Sequence, residues 1–338
     1  MDYIKKSLFI FLLAAIFFSC DKKEKTTVVK LDDFKTIKGS NKKSNSQIVY
    51  PHKIISFNDK FILSDLGDTH FFKIYNKNNL SFISSFGKKG GGPNELINPP
   101  MLLNHGDKFN FYFGNFFEKA IYKAEYKNDT FRIIKTYPLP ESMFSKQDFL
   151  VVNDSIIIGT GGENDKLSIY NIASKEFNNI KLTDIDNNLK NKDRRNVFKS
   201  HISVNTEKNK IVLAYENIGL VEVYDFSLNL INRVAIGKSI NDQIKNIELL
   251  KKDKSFFLAS INIYSDSTSI YLIYVGKPYN SIDENTQDYV LVFDWDLRLK
   301  KIYKLDRFIS IFTMFENNVM LGIDKYNEEE MFVKFHLK

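Results

Sequence analysis

A single cysteine in 338 residues, Cys20, excludes any intramolecular disulfide, so the fold must be held by core burial rather than cross-links. Nucleophilic chemistry is thinly provided for, since no G-x-S-x-G elbow occurs. The five histidines, His52, His70, His105, His201 and His336, never fall at HxH, HxxxH or HExxH spacing. A zinc ion would therefore need ligands converging from distant parts of the chain. Alternating calcium-loop acids are missing as well, which leaves Asp65, Asp68 and Glu216 as conceivable but scattered oxygen ligands. No large excess of one charge is present: 48 basic against 41 acidic residues give +7, with lysines dispersed along the chain beside abundant Asn and Ile. That pattern fits a codon bias and gives no nucleic-acid stripe. Helical periodicity is nearly absent, with the polar stretch around Leu189 to Phe198 the one candidate.

What is present begins at the N-terminus. Lys5 and Lys6 precede an apolar run from Leu8 to Phe18, eleven residues long and short of the roughly 17 to 25 that span a bilayer. Ser19 and Cys20 follow, completing the order of a bacterial lipoprotein leader: basic region, apolar region, small residue, cysteine. Phe17 and Phe18 stand where a lipobox usually carries Leu and a small residue close to the cysteine. The reading divides the chain into a signal peptide at 1–19, a tether at 20–27 and a globular domain at 28–338, lipidated on Cys20 and so held on a membrane. Removing the leader deletes Asp2, Lys5 and Lys6 and barely changes the charge.

From Pro51 onward, short runs of β-branched and aromatic residues alternate with Asn, Asp, Gly and Lys every six to ten positions, the pattern of a large antiparallel all-β protein. The runs group into sets, among them FILSDL, FFKIYN and SFISSFG, then FNFYFG, AIYKAEY and FRIIKTYPL. A strand, a Y/F-D/N-x-x turn and another strand recur in KIYNKNNL, SIYNIASKEF, EVYDFSLNL and VFDWDLRL. Six sets over the ~320 residues after the leader give about 53 each, a four-stranded blade length. A six-bladed β-propeller is expected, with five or seven blades as alternatives. The last set is one strand short, so the early strand near Val28 to Phe34 is expected to complete it and close the ring.

The segment SSFGKKGGGPNELINPP, residues 84–100, is neither a P-loop nor a dinucleotide fingerprint. Pro93 and Asn94 stand where a phosphate-binding Lys and Ser/Thr would be required, and no helix N-terminus follows. Its glycines suit a tight crossing between blades. The run FGKKGGGPNELINP resembles the G-K-x-G-x-G-P-x-E-F segment of the TolB-like, or BF-type, six-bladed propeller lipoproteins of Bacteroidota, with Leu96 in place of Phe. The Y-x-x-Y-x-G-K run at Tyr271, Tyr274, Gly276 and Lys277 is similar too, as is VFDWDLRLKKIYKLD. The resemblance covers nearly the whole mature chain and implies fold and location; no catalytic residue is carried over from it.

In such a ring the connections between blades, and those joining second to third strands, share one face. The stretches 87–100, 138–148, 183–200, 237–246 and 276–288 all fall there, whereas the other face has short turns. The long-loop face is the expected binding face. It would carry Lys88, Lys89, Asn94, Glu95, Lys190, Lys192, Arg194, Arg195 and Tyr279, suited to an anionic or carbohydrate-like partner. Asp294 and Asp296, flanking Trp295, read as turn residues. The functional expectation is a membrane-anchored exported module that binds an envelope protein or glycan, with no cofactor. A metal-assisted lyase or lactone hydrolase, holding Ca²⁺ or Zn²⁺ in the central channel, is the alternative, and a structural subunit of an envelope complex is a third.

Overall fold

The computed structural model describes residues 26–44, 47–92, 95–103, 110–115, 117–127, 130–162, 165–182, 196–252 and 256–338, the side chains of 247–252 excepted. Cys20, His105, Asn94, Lys190, Lys192, Arg194 and Arg195 lie outside the described residues, as does most of the stretch 189–198 expected to be helical.

Six sheets are arranged as the blades of a propeller. Blade 1 comprises Pro51–Phe57, Lys60–Asp65, His70–Asn76 and Phe82–Lys88, each strand antiparallel to the next. Blade 2 opens on a first strand of two residues, Met101–Leu102, and ends at Thr130–Pro138; blade 3 runs from Asp148–Val152 to Phe177–Lys181. Blade 4 spans Ser200–Asn205 to Leu230–Ile236, blade 5 spans Phe257–Ser265 to Leu299–Leu305, and blade 6 is begun by Ile311–Phe315, Val319–Ile323 and Phe332–His336.

The strand runs read as nearly continuous apolar stretches because each blade is covered on both faces. Along Lys210–Tyr215, Ile211, Leu213 and Tyr215 pack toward blade 3, whereas Val212 and Ala214 pack toward blade 5. A strand alternates its side chains between faces, so one sequence feeds two cores. A buried cluster fills each junction between neighbours, including blade 6 against blade 1, where Phe61 stacks on Tyr75 at 5.0 Å and meets Phe332 edge-on at 5.5 Å. Aromatic pairs of this kind add about 0.5–1.5 kcal/mol each beyond burial.

The recurrent Y/F-D/N-x-x motif forms the hairpin between third and fourth strands. Asn76 Oδ1 accepts from Asn78 N at 2.9 Å, Asn171 Oδ1 from Ala173 N at 2.9 Å, and Asp294 Oδ1 from Asp296 N at 2.8 Å. In each of these turns, and in the one after Asp225, a residue adopts positive φ: Leu80, Lys175, Leu228 and Leu297. An Asx side chain that mimics a backbone turn explains why this position repeats. Asp296 then pairs with Lys210 at 2.5 Å, and buried Trp295 donates from Nε1 to Asp266 O, so both acids serve the fold.

The ring is closed by an N-terminal strand, but not by the one expected. Ser40–Lys42 pairs antiparallel with Phe332–His336 and completes blade 6. Thr27–Val29 instead adds a parallel fifth strand to the outer edge of blade 4, and Lys35–Ile37 does the same on blade 5. An outermost strand needs backbone pairing more than side-chain burial, so the polar Ser-Asn-Lys can close a ring that apolar Val28 and Val29 do not. Gly39 N donating to Asp306 Oδ1 and Arg307 Nη1 donating to Asn41 Oδ1 at 2.6 Å fix this closure. The N-terminal segment is thus a strap across three blades.

A second difference is a helix, Ile240–Lys252, which takes the front of the run IELLKKDKSFFLAS; the run reads in sequence as the first strand of blade 5, and that strand begins at Phe257. Ser239 Oγ accepts from Asp242 N at 3.3 Å and bonds Asp242 Oδ2 at 2.5 Å, capping the first turn. Ile240 and Ile244, one helical turn apart, pack into the junction of blades 3 and 4. Among the described residues, no helix is long and apolar enough to cross a membrane.

Candidate functional site

The blade topology places the crossings 89–100, 139–147 and 237–256 and the hairpin loop 279–288 on one face. The described turns opposite are short, as at 58–59, 153–155, 206–209 and 266–268.

On the long-loop face, the glycine-rich segment braces itself. Lys88 Nζ pairs with Glu95 Oε1 at 2.7 Å, and Glu95 Oε2 accepts from Gly92 N at 2.9 Å. Gly90, at φ +156°, lets that carboxylate lie against the backbone, since a Cβ there would sit 2.0 Å from Glu95 Oε2. Lys89 Nζ donates to Leu66 O at 2.8 Å and lies 5.2 Å from the centre of the Phe71 ring. Lys88, Lys89 and Glu95 are therefore engaged within the crossing from blade 1 to blade 2. Tyr279 belongs to blade 5, where it is half exposed and stacks on Phe256 at 4.6 Å.

The mouth of the channel on this face gathers charged residues from three blades. Lys53 Nζ meets Asp148 Oδ1 at 3.1 Å, reaching from blade 1 to blade 3 past the short first strand of blade 2. Asp148 also accepts from Phe149 N and Ile202 N. Lys199 pairs with Glu216 at 2.7 Å, while His201 Nε2 lies occluded 3.4 Å from Glu216 Oε1 without hydrogen-bond geometry. Burial, with Lys53 and Lys199 nearby, pushes His201 below the usual imidazole range, and His52, crowded by the same lysines while keeping surface exposed to solvent, is shifted the same way. Each carboxylate here already has a lysine. Asp65 is similarly engaged: it accepts from Val49 N, Tyr50 N and Gly67 N, and Lys73 bridges it to Asp68 at 2.9 and 2.8 Å. Among the described residues, no three His, Cys, Asp or Glu side chains are grouped to hold a metal ion, and the structure does not bring Asp65, Asp68 and Glu216 together.

A different site stands open between blades 4 and 5. A cavity of about 450 Å³ is bounded by the end of blade 4 (Ile236, Gly237, Lys238), the helix (Gln243, Asn246), blade 5 (Phe257, Tyr274, Gly276, Lys277, Asn285, Gln287, Tyr289, Lys304) and Leu31 of the strap. Gln243 shapes its floor: Oε1 accepts from Gly219 N at 2.6 Å, and Nε2 donates to Lys238 O at 2.8 Å, fastening the helix to blade 4. Gly237 N donates to Val29 O at 2.8 Å, joining the strap to the same corner. Gly276 is required at φ +67°, and a Cβ there would lie 2.5 Å from Tyr274 Cε1. Burial pushes the Tyr274 hydroxyl up to about 12, and it has no hydrogen-bond partner among the described residues.

Among the described residues, the lining holds Lys238, Lys277 and Lys304 and no acid. The adjoining Asp288 is fully buried and accepts from Ile309 N at 2.7 Å; burial pushes its carboxyl well above the ordinary range despite Lys277 and Lys325 nearby. Sequence reasoning placed the stretches 237–246 and 276–288 on the binding face but did not assemble the cavity, whose residues come from six separate stretches of sequence. A further signal was the Tyr271-to-Lys277 run, of which Tyr274, Gly276 and Lys277 line the cavity.

A six-bladed ring, one face carrying the long loops and a cavity between two blades, defines the class of this protein. It belongs to the family described as TolB-like 6-blade propeller-like, whose model matches residues 30–317. No curated protein matches the chain in sequence. A solved member of the duf4221 family from Bacteroides vulgatus is 12% identical, with 90% of this chain and 99% of that one covered and a TM-score of 0.58. A protein of Bacteroides fragilis, named as exported, is 11% identical over 91% of this chain and 98% of that one, with a TM-score of 0.58. A luciferin-regenerating enzyme shares the ring at 8% identity and a TM-score of 0.51, covering 88% of this chain and 95% of that one. Such distant likenesses carry the fold and leave function to be argued from the site.

Proposed function

We propose that this protein is an exported, lipid-anchored binding module whose long-loop face receives its ligand. The observation that carries this reading is the division of polar groups on that face. The lysines and carboxylates at the channel mouth and in the glycine-rich crossing pair with one another, whereas at the cavity of about 450 Å³ Lys238 and Lys277 have no ion-pair partner, and the Tyr274 hydroxyl no hydrogen bond, among the described residues. Polar groups that the fold does not use, converging on an aromatic-walled cavity, are what a small-molecule site requires.

Export is supported by the leader-like order of Lys5, Lys6, the apolar run, Ser19 and Cys20, and by the name of the Bacteroides fragilis relative. Acyl chains on Cys20 would hold the ring at a membrane, each buried CH₂ contributing about 0.8 kcal/mol. The tether from Cys20 to Thr27 reaches at most about 25 Å. The anchor would then enter the ring beside blade 4, close to the cavity.

Replacing Cys20 with Ala is expected to move the protein from the membrane to the soluble fraction as a folded propeller that still recovers an envelope component. Fractionation followed by affinity capture reads both halves. A variant that stays with the membrane would sink the anchor, and a released, folded ring that captures nothing would sink the binding role.

A further inference from the structure

Three kinds of group converge on the cavity between blades 4 and 5, and each narrows what can bind there. Lys238, Lys277 and Lys304 line it with no acid among the described lining residues, and only Lys304 has a ring contact, over Phe34 at 5.4 Å, so an anionic ligand is the one that gains charge-assisted hydrogen bonds from Lys238 and Lys277. The side-chain amides of Asn246, Asn285 and Gln287 stand on its rim. An amide offers a donor and an acceptor together, the match for a hydroxyl, which also does both. Tyr274, Tyr289 and Phe257 supply flat apolar faces, and the stacked pair Phe256 and Tyr279, each about half exposed, continues this aromatic surface outward.

We propose that this cavity binds a small anionic sugar, with the carboxylate set against Lys238 and Lys277, the hydroxyls against Asn285 and Gln287, and one face of the ring on Tyr274. The volume admits roughly one or two sugar rings and not a folded partner. An aromatic acid would satisfy the lysines and rings but leave the amides unpaired. Inorganic phosphate would satisfy the lysines alone. The proposal rests on the long-loop face being the binding face, and it deepens that reading.

Titration calorimetry on the full chain in detergent, with glucuronate, glucose, benzoate and inorganic phosphate as probes, tests it. Glucuronate is expected to bind saturably, to weaken as salt is raised, and to bind at least tenfold more tightly than glucose or benzoate. Lys238→Gln and Lys277→Gln should each weaken glucuronate about tenfold to a hundredfold, the effect of one charge-assisted hydrogen bond, with the unfolding midpoint unchanged. Lys88→Gln, in the crossing from blade 1 to blade 2, should leave it unaltered. Glucose binding as well as glucuronate, benzoate or phosphate binding better, insensitivity to both lysine variants, or no saturation by about 10 mM would each overturn the sugar-acid assignment. Should glucuronate fail while envelope components still attach to the long-loop face, only the ligand class falls; if nothing attaches there, the binding role falls with it.

Discussion

Replacing Glu222 with Ala should cost about 3–5 kcal/mol of stability, as much as truncating a large buried side chain of the core. Glu222 is fully buried on the third strand of blade 4. Its carboxylate meets Lys166 of blade 3 at 3.2 Å and Arg233 Nη2 at 2.5 Å, and accepts from Tyr215 at 2.5 Å and Tyr224 at 2.8 Å. Removing it leaves two buried cations without their anion and two buried hydroxyls without this acceptor. Burial alone would raise the Glu222 carboxyl, but Lys166, Arg233 and the two tyrosines hold it below the ordinary range. A lowered folded pKa contributes stability above the unfolded value, about 4.3, that is lost as pH falls toward the folded value. Wild type should therefore lose stability below about pH 4.3 more steeply than Glu222→Gln does. Denaturant melts at pH 7 and pH 3.5 read both effects, and an unchanged midpoint for Glu222→Ala would contradict the network's role.

Deleting the strap through Lys42 should be as damaging for a different reason. Its three short strands each pair over three residues, on blades 4, 5 and 6, and bury Val29 and Ile37. Two such side chains contribute about 3–6 kcal/mol on burial. Their removal would also expose the edge strand Phe332–His336 and the outer edges of two further blades, which invites association between chains. A chain beginning at Thr26 keeps all three strands and should melt like the full protein, whereas one beginning at Lys43 should melt lower and aggregate. Equal melting points for the two truncations would show that the ring closes without the strap.

How much of this could be read from sequence follows from which signals are local. Blade number was legible because alternating side chains feed two cores and the Asx turn at Asn76, Asn171, Asp225 and Asp294 marks the outer hairpin of four blades. The closing strand was not, since Ser40–Lys42 is identified by backbone pairing with a segment nearly 300 residues away and has no apolar mark. The helix Ile240–Lys252 was masked by its run of Ile and Leu, although Ser239 and Asp242 spell a cap.

For the site, residue type proved a weaker guide than partnership. Lys88 and Glu95 are charged and on the expected face, yet they satisfy each other. Lys238 and Lys277 read as unremarkable lysines until Gly237, Gly276 and Gln243 are seen to shape a cavity around them. Which polar groups stay unpaired is a property of the folded ring, and no window of sequence states it.

Photo-cross-linking from both faces of the ring in intact membranes tests the central claim most directly. With a photoreactive residue at Lys238 or Asn285, on the long-loop face, specific adducts are expected; at Asn78 or Ser174, in exposed turns opposite, none are. Adducts confined to positions 78 and 174 would place the partner on the short-turn face and contradict the account.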